Sequence, residues 1–268
     1  MRLIELFVCF SIVNETANVT RQDWRKLACG DFQSASTRMI INTYDETALE
    51  YALRIKDAAK KSDITVNCTA LTVSEGIEEA ISRNLFAVGF DRVLMIYDKA
   101  TGDYSPNHIP LILASFFRKE SFDLIFFGQQ NSLSCGGQSP SRLSAMLNIP
   151  FAGYVTDCFF EEGLLHSTCK TKGGFISAVT QPAGIFAFFN TEHPYLRIAT
   201  LREKMAVKSK TPEMITLSDI SGFENEVRLI SVSYDPPTRE CKMIEAENLD
   251  EQVEKLLSLL GLPKDGIA

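Results

Sequence analysis

The sequence has no excess of basic residues: 27 Lys and Arg stand against 34 Asp and Glu, giving a formal charge of −7. A general nucleic-acid-binding or anionic-membrane-binding role normally needs a basic face, and this balance argues against both. Long apolar runs are also missing, so no stretch of about 18 apolar residues offers a membrane span. The opening MRLIELFVCFSIV is interrupted by Glu5 and is followed by no small-residue cleavage site, so it reads as a first buried strand rather than a secretory leader. The seven cysteines (Cys9, Cys29, Cys68, Cys135, Cys158, Cys169, Cys241) contain no CxxC pair and are odd in number. Neither a disulfide framework nor a zinc site is indicated, and a reducing, cytoplasmic compartment is expected. His108, His166 and His193 lie far apart and outside any metal-ligand spacing, so they read as surface or packing residues.

What is present is a chain of 268 residues, 45% of them hydrophobic, enough for a sizeable core. Residues 14–40 are polar and irregular around Trp24, and INTYDETALEYALRIK (41–56) is a helix with Ala48, Leu49, Ala52, Leu53 and Ile55 at apolar spacing. Asp45 and Glu46 fall where a helix start favours negative charge. Next come a strand (63–73), a helix (74–89) with Ser74 as its N-cap, a strand (91–98), a helix (107–121), a strand (122–128) and a helix (137–148). Such alternation predicts an α/β, Rossmann-like parallel sheet with helices on both faces. After Pro150 the pattern changes to short strands divided by turns at Glu162-Gly163 and Gly173-Gly174, which predicts antiparallel edge strands. Residues 190–247 show little sustained periodicity, and a final short helix covers Leu249 to Leu260. Two portions are expected: 1–190 as the nucleotide-binding domain and 191–268 as a recognition loop and extended C-terminal arm.

Ligands of open parallel sheets gather beyond the carboxyl ends of the strands, which directs attention to GQQNSLSCGGQSPSR (128–142). Its glycines permit close backbone approach, and Ser132, Ser134, Gln138 and Ser139 offer uncharged hydrogen-bonding groups. The loop is neither a Walker loop nor GxGxxG, and on spacing alone a nucleotide-binding loop and an ordinary polar loop both stay open. Cys135 could act as a nucleophile only beside a base, and the sequence names none. Glu161 and Glu162 read as part of a hairpin turn, and REKMAVKSK (202–210) as a solvated basic strip or a docking surface.

These residues together resemble the β subunits of electron transfer flavoproteins, a family with nitrogen-fixation-linked and carnitine-linked forms. Asn42, Asp45, Glu46, Ala48, Leu49, Glu50, Ala52, Leu53, Arg54 and Lys56 are in register with the family's NPFDEIALEEALRLKE segment. FAVGFDRVLMI is similar to its AMGAD turn into a strand, and the Gly173-Gly174 hairpin to its double-glycine turn. RIATLREKMAVKSK (197–210) resembles its RYATLPNIMKAKKK recognition loop, and ISVSYDPPTR (230–239) its ISVEDPPQR tail. The likeness covers nearly the whole chain.

The resemblance implies a heterodimeric electron carrier with no catalytic residues of its own. An α subunit would hold the redox FAD, the pair would accept electrons from an acyl-CoA or other flavin dehydrogenase, and the β site would hold AMP or a second FAD. By position the cofactor-binding residues would be Cys9, Phe10, Ser11, Asn42, Ala70, Thr72, Ser74, Gly128, Gln130, Ser132, Ser134, Gly136, Gly137, Gln138 and Ser139. Arg197, Thr200, Leu201, Met205, Pro236, Pro237 and Arg239 would meet partner proteins. The loop departs from the family: its aspartates are replaced by Leu133, Ser134 and Cys135, Pro140 stands for the final Gly, and Phe10 and Ser11 replace the Lys after the first strand. These departures imply altered or weakened nucleotide binding. The alternative is a stand-alone adenine-nucleotide-binding regulatory module, with a Cys135-based nucleotide-cleaving enzyme behind it.

Overall fold

The computed structural model describes residues 2–15, 20–28, 38–61, 64–98, 106–131, 136–189, 194–220 and 243–261. From the amino end come β1 (Arg2–Cys9), β2 (Ile12–Asn14), α1 (Arg21–Ala28), β3 (Met39–Ile41), α2 (Thr43–Ala59), β4 (Ile64–Ser74), α3 (Glu79–Val88), β5 (Arg92–Tyr97), α4 (His108–Phe117), β6 (Leu124–Gly128) and α5 (Ser139–Leu147). The chain continues through β7 (Phe151–Glu161), β8 (Leu164–Thr171), β9 (Gly174–Thr180), β10 (Gly184–Phe188), α6 (Leu201–Ala206), β11 (Glu213–Thr216), a 3-10 turn at Leu217–Asp219 and α7 (Leu249–Leu260). It divides into two compact units, Met1–Ile230 and Ser231–Ala268. Of the second unit, α7 is described, capped by Asn248, whose side chain accepts from the Glu251 amide at 2.9 Å.

In the first unit the described strands build a nine-stranded sheet in the order β11, β5, β4, β1, β6, β10, β7, β8, β9. Every neighbouring pair from β11 to β7 is parallel, and the β7–β8 and β8–β9 pairs are antiparallel. The expected α/β class and antiparallel edge are therefore both present. The central strands are buried on both faces, which is why LIFFG in β6 and GIFAF in β10 are unbroken apolar runs. On one face Leu49, Leu53 and Ile55 of α2 join Leu6, Val8 and Phe126. On the other, Ile112 and Phe116 of α4 and Leu143 of α5 pack with Phe7, Leu94 and Ile125. Burial of such side chains contributes roughly 1.5–3 kcal/mol each before chain entropy is subtracted.

Four local expectations are corrected. Ser74 does not cap α3: it ends β4, its hydroxyl donates to the Gly76 carbonyl at 2.9 Å, and Glu78 occupies the N-cap position. Residues 14–40 are less irregular than expected, since β2 and β3 pair antiparallel and α1 lies between them. The edge opens with an eleven-residue strand, β7, rather than a short one. Finally, β11 pairs with β5 and so belongs to the sheet, although its four residues, EMIT, are too few to show a period.

Candidate functional site

From β1 the chain moves outward through β4 to β5 on one side, then returns to lay β6 on the other side of β1. This reversal opens a crevice beyond the carboxyl ends of β1 and β6. Cys9, Phe10 and Ser11 end and follow β1, Asn42 precedes α2, Ala70, Thr72 and Ser74 lie toward the end of β4, and Gly128 to Gln130 end and follow β6. Gly136, Gly137, Gln138 and Ser139 lead into α5. The sheet therefore brings the described ones among these residues to one end. Ser132, Ser134 and Cys135 lie outside the described residues.

The walls are tied by α2's leader. Asn42, which is buried, donates its main-chain amide to the Ser11 carbonyl at 2.9 Å and its side-chain amide to the Gln130 carbonyl at 2.9 Å. The Asp45 carboxylate accepts from the Ser11 amide at 2.8 Å and from the Gly128 amide at 2.9 Å. One side chain thus holds both the loop after β1 and the loop after β6. Burial pushes the Asp45 carboxyl up to about 6, against the opposing pull of hydrogen bonds from Ser11, Asn42 and Gly128. The Cys9 thiol is raised too, by burial first and by the Asp45 charge second, so it is a poor nucleophile.

Gly128 is required by this closeness. A Cβ there would lie 2.4 Å from Asp45 Oδ1 and 2.6 Å from the Tyr44 carbonyl carbon. Gly137 has φ of +54°, and its Cβ would lie 2.5 Å from the Gln129 carbonyl oxygen. Gln129 itself is anchored to β10 by its amide, which donates to the Phe188 carbonyl at 2.8 Å, and its Oε1 accepts from the Tyr154 amide at 2.7 Å. At the head of α5, Gln138 Oε1 accepts from Arg142 Nη2 at 2.7 Å, and Pro140 sits in the first turn, where a missing N–H is tolerated. Thr72 Oγ1 is buried with no hydrogen-bond partner among the described residues. A buried orphan hydroxyl toward the carboxyl end of β4 is a group that a polar ligand could satisfy.

The remaining candidates lie elsewhere. His108 is buried and its Nε2 is hydrogen-bonded to Asp98, so it serves packing with a polar partner. His166 stacks on Phe159, with ring centroids 4.5 Å apart. His193, Pro236, Pro237 and Arg239 fall outside the described residues. Among the described residues no group of three or more His, Cys, Asp or Glu side chains could hold a metal ion, and no helix is long and apolar enough to cross a membrane.

Arg197, Thr200, Leu201 and Met205 form a separate surface rooted on α2. The Arg197 main-chain amide and Nε each reach Glu50 Oε2 at 3.0 Å, Nη2 reaches Glu50 Oε1 at 2.9 Å, and Nη1 reaches Asp57 Oδ2 at 2.6 Å. Glu50, like Asp57, strengthens the guanidinium charge and raises its pKa. Thr200 and Glu203 close a capping box at the start of α6. From this braced segment Ile198 projects 90% exposed and Leu201 78% exposed, with Tyr195 and Met205 also exposed. Sequence reasoning missed both anchors, Asp45 and Glu50, because each looks like an ordinary charge on a helix.

The family model for the electron transfer flavoprotein domain matches residues 31–216. A protein of Methylophilus methylotrophus named electron transfer flavoprotein subunit beta is 26% identical over 231 residues, covering 82% of this chain and 85% of the relative. One of the same name from Bradyrhizobium diazoefficiens is 27% identical over 231 residues, covering 85% and 88%. An Arabidopsis thaliana relative, named electron transfer flavoprotein subunit beta, mitochondrial, is 26% identical over 230 residues, covering 84% and 87%.

Proposed function

The chain belongs to the electron transfer flavoprotein domain family, and from that membership we propose that it is the β subunit of a heterodimeric electron carrier. In this reading an α subunit holds the FAD that supplies the redox chemistry, a flavin dehydrogenase such as an acyl-CoA dehydrogenase donates the electrons, and the β chain has no catalytic residue. The crevice at the carboxyl ends of β1, β4 and β6 would hold AMP or a second FAD. The observation that carries the nucleotide assignment is the convergence of Ser11, Asn42, Thr72 and Gly128 at a topological switch point, with the loops fixed by Asp45. One observation fits such a group: Thr72 Oγ1, toward the carboxyl end of β4, is buried and lacks a partner among the described residues, while Gly128 and Gly137 serve the close packing of the loops that frame the crevice.

The chain's own residues divide the work. Gly128, Gln130 and Gly136 to Ser139 would line the nucleotide, while Asn42 and Asp45 keep the lining in register. Arg197 and Thr200 would fix the presentation of Leu201 and Met205 to a partner protein. The proposed division into a nucleotide-binding portion (1–190) and a partner-engaging portion (191–268) follows from these roles. The exposed apolar residues Phe175, Ile176 and Val179 on the edge strand β9 also favour a chain that works in association. The cytoplasmic compartment belongs to the same proposal and rests on free cysteines at Cys9, Cys68, Cys158 and Cys169.

The test is to express the chain with an α subunit, purify the complex, release the cofactors with acid, and count FAD and AMP by chromatography. One FAD with one AMP per heterodimer is expected. Two FAD would replace AMP by a second flavin, FAD alone would remove the nucleotide assignment, and failure to form any complex would turn the reading to a stand-alone nucleotide-binding module.

A further inference from the structure

Arg142 is the only charged residue between Asp123 and Asp157, so the run from β6 through the crevice loop and α5 carries a single charge, and it is positive. It stands one turn into α5, where a long side chain leans back toward the helix start. There Nε and Nη2 both donate to Gln138 Oε1, at 3.0 Å and 2.7 Å, and Nη1 donates to Asn107 Oδ1. No acidic side chain pairs with the guanidinium among the described residues.

The two amides that hold it belong to two helix starts. Gln138 is the N-cap of α5 and Asn107 the N-cap of α4, the helices that follow β6 and β5 and pack together on one face of the sheet. Neither caps its own helix through its side chain; the side-chain oxygen of each goes to Arg142 instead. Neither helix carries an acid in its first turn, and Asp98, which follows β5, is engaged by His108 Nε2. A salt bridge would brace α4 to α5 and cancel the charge, whereas two amides brace them and leave the charge standing. A guanidinium gripped in this way keeps an N–H on each of Nη1 and Nη2 for a further acceptor.

We propose that Arg142 gives the crevice its preference for a phosphorylated ligand, its pre-set guanidinium pairing with the phosphate of the bound nucleotide. This role rests on the nucleotide reading of the crevice and adds to it the residue that tells a nucleotide from its nucleoside. The planar fork of a guanidinium matches phosphate oxygens, and one already held in place loses little freedom on binding.

The test uses the full chain, with AMP and adenosine as the probes, by isothermal calorimetry at about pH 8, where the phosphate is fully ionised. Wild type, Arg142→Met and Arg142→Lys are compared at low and at raised salt. Wild type is expected to bind AMP more tightly than adenosine. Arg142→Met should lose about tenfold in AMP affinity with a flatter salt dependence and keep its adenosine affinity, and Arg142→Lys should keep part of the preference. If Arg142→Met does not fold, judged by its thermal unfolding, Arg142→Gln takes its place, since its amide can still donate to Asn107. An AMP-to-adenosine ratio that is the same in wild type and in the neutral variant overturns the role. So does an equal loss for both ligands, which would make Arg142 a brace between α4 and α5. If wild type binds neither ligand, the nucleotide reading falls and this role falls with it; if AMP binds and the ratio does not move, only this role falls.

Discussion

At the scale of single residues, Asp45 and Gly128 form one fitted pair. Because the Asp45 pKa is raised from 3.8 to about 6, the folded chain binds a proton more tightly than the unfolded chain between those values. The contribution to stability is then fully present below the lower value and is lost as pH rises through the upper one. Relative to Asp45→Asn, wild type should lose about 2 kcal/mol of stability between pH 4.5 and pH 7, read from urea unfolding at each pH. An unchanged difference would mean that the carboxyl titrates normally. Gly128→Ala should cost about 3 kcal/mol by the same measurement, since the new methyl has no room beside Asp45 and Tyr44. Wild-type stability in that variant would show that the two loops separate easily. Neither role was legible in the sequence: Asp45 has the appearance of a first-turn acid favoured by the helix dipole, and nothing in GQQ announces that its glycine abuts the start of a helix.

At the scale of elements, α2 connects the two surfaces assigned a role. Its leader braces the crevice, and Glu50, about 12 Å further along the axis, grips Arg197. In the proposed heterodimer, Leu201→Ala should leave the complex intact and its stability within about 0.5 kcal/mol of wild type while slowing electron acceptance from a partner dehydrogenase; unchanged transfer in a reduction assay would remove Leu201 from the proposed docking tip. Arg197→Met acts differently, because it leaves the buried Glu50 without its bidentate partner. A loss of roughly 3 kcal/mol is expected, with faster tryptic cleavage at Arg202 and Lys204, and thermal unfolding with timed digestion would read both. Elements with long apolar runs or clear helical spacing, such as β1, β4, α2 and α7, could be read directly from the sequence. The short ones could not, since β2, β3 and β11 have three or four residues each and owe their form to pairing partners rather than to local pattern. Ser74 shows the same limit, because a cap is recognised only once the helix start is known.

At the scale of the whole molecule, strand order is what turns scattered polar segments into a site. Alternation of strands and helices foretold the parallel sheet, yet it could not foretell where β10 goes. Strand identity is written in local hydrophobicity, whereas neighbour choice depends on contacts between distant segments. The first unit exposes apolar side chains in two groups, Ile198, Leu201 and Met205 on one segment and Phe175, Ile176 and Val179 on another, which suits the association proposed for it.

The placement of β10 has a consequence for how the chain is made. It is the tenth of the described strands to be synthesised, and it lies between β6 and β7, so both of those strands wait with an open edge while residues 162–183 are added. Until β10 arrives, Gln129 has no Phe188 carbonyl to hold and the crevice loop has no floor. A nascent chain on the ribosome therefore presents two unpaired, strongly apolar edges for a second or more at ordinary elongation rates of about 5–20 residues per second. Chaperone capture during synthesis should be concentrated in that interval and end when Phe188 has cleared the exit tunnel.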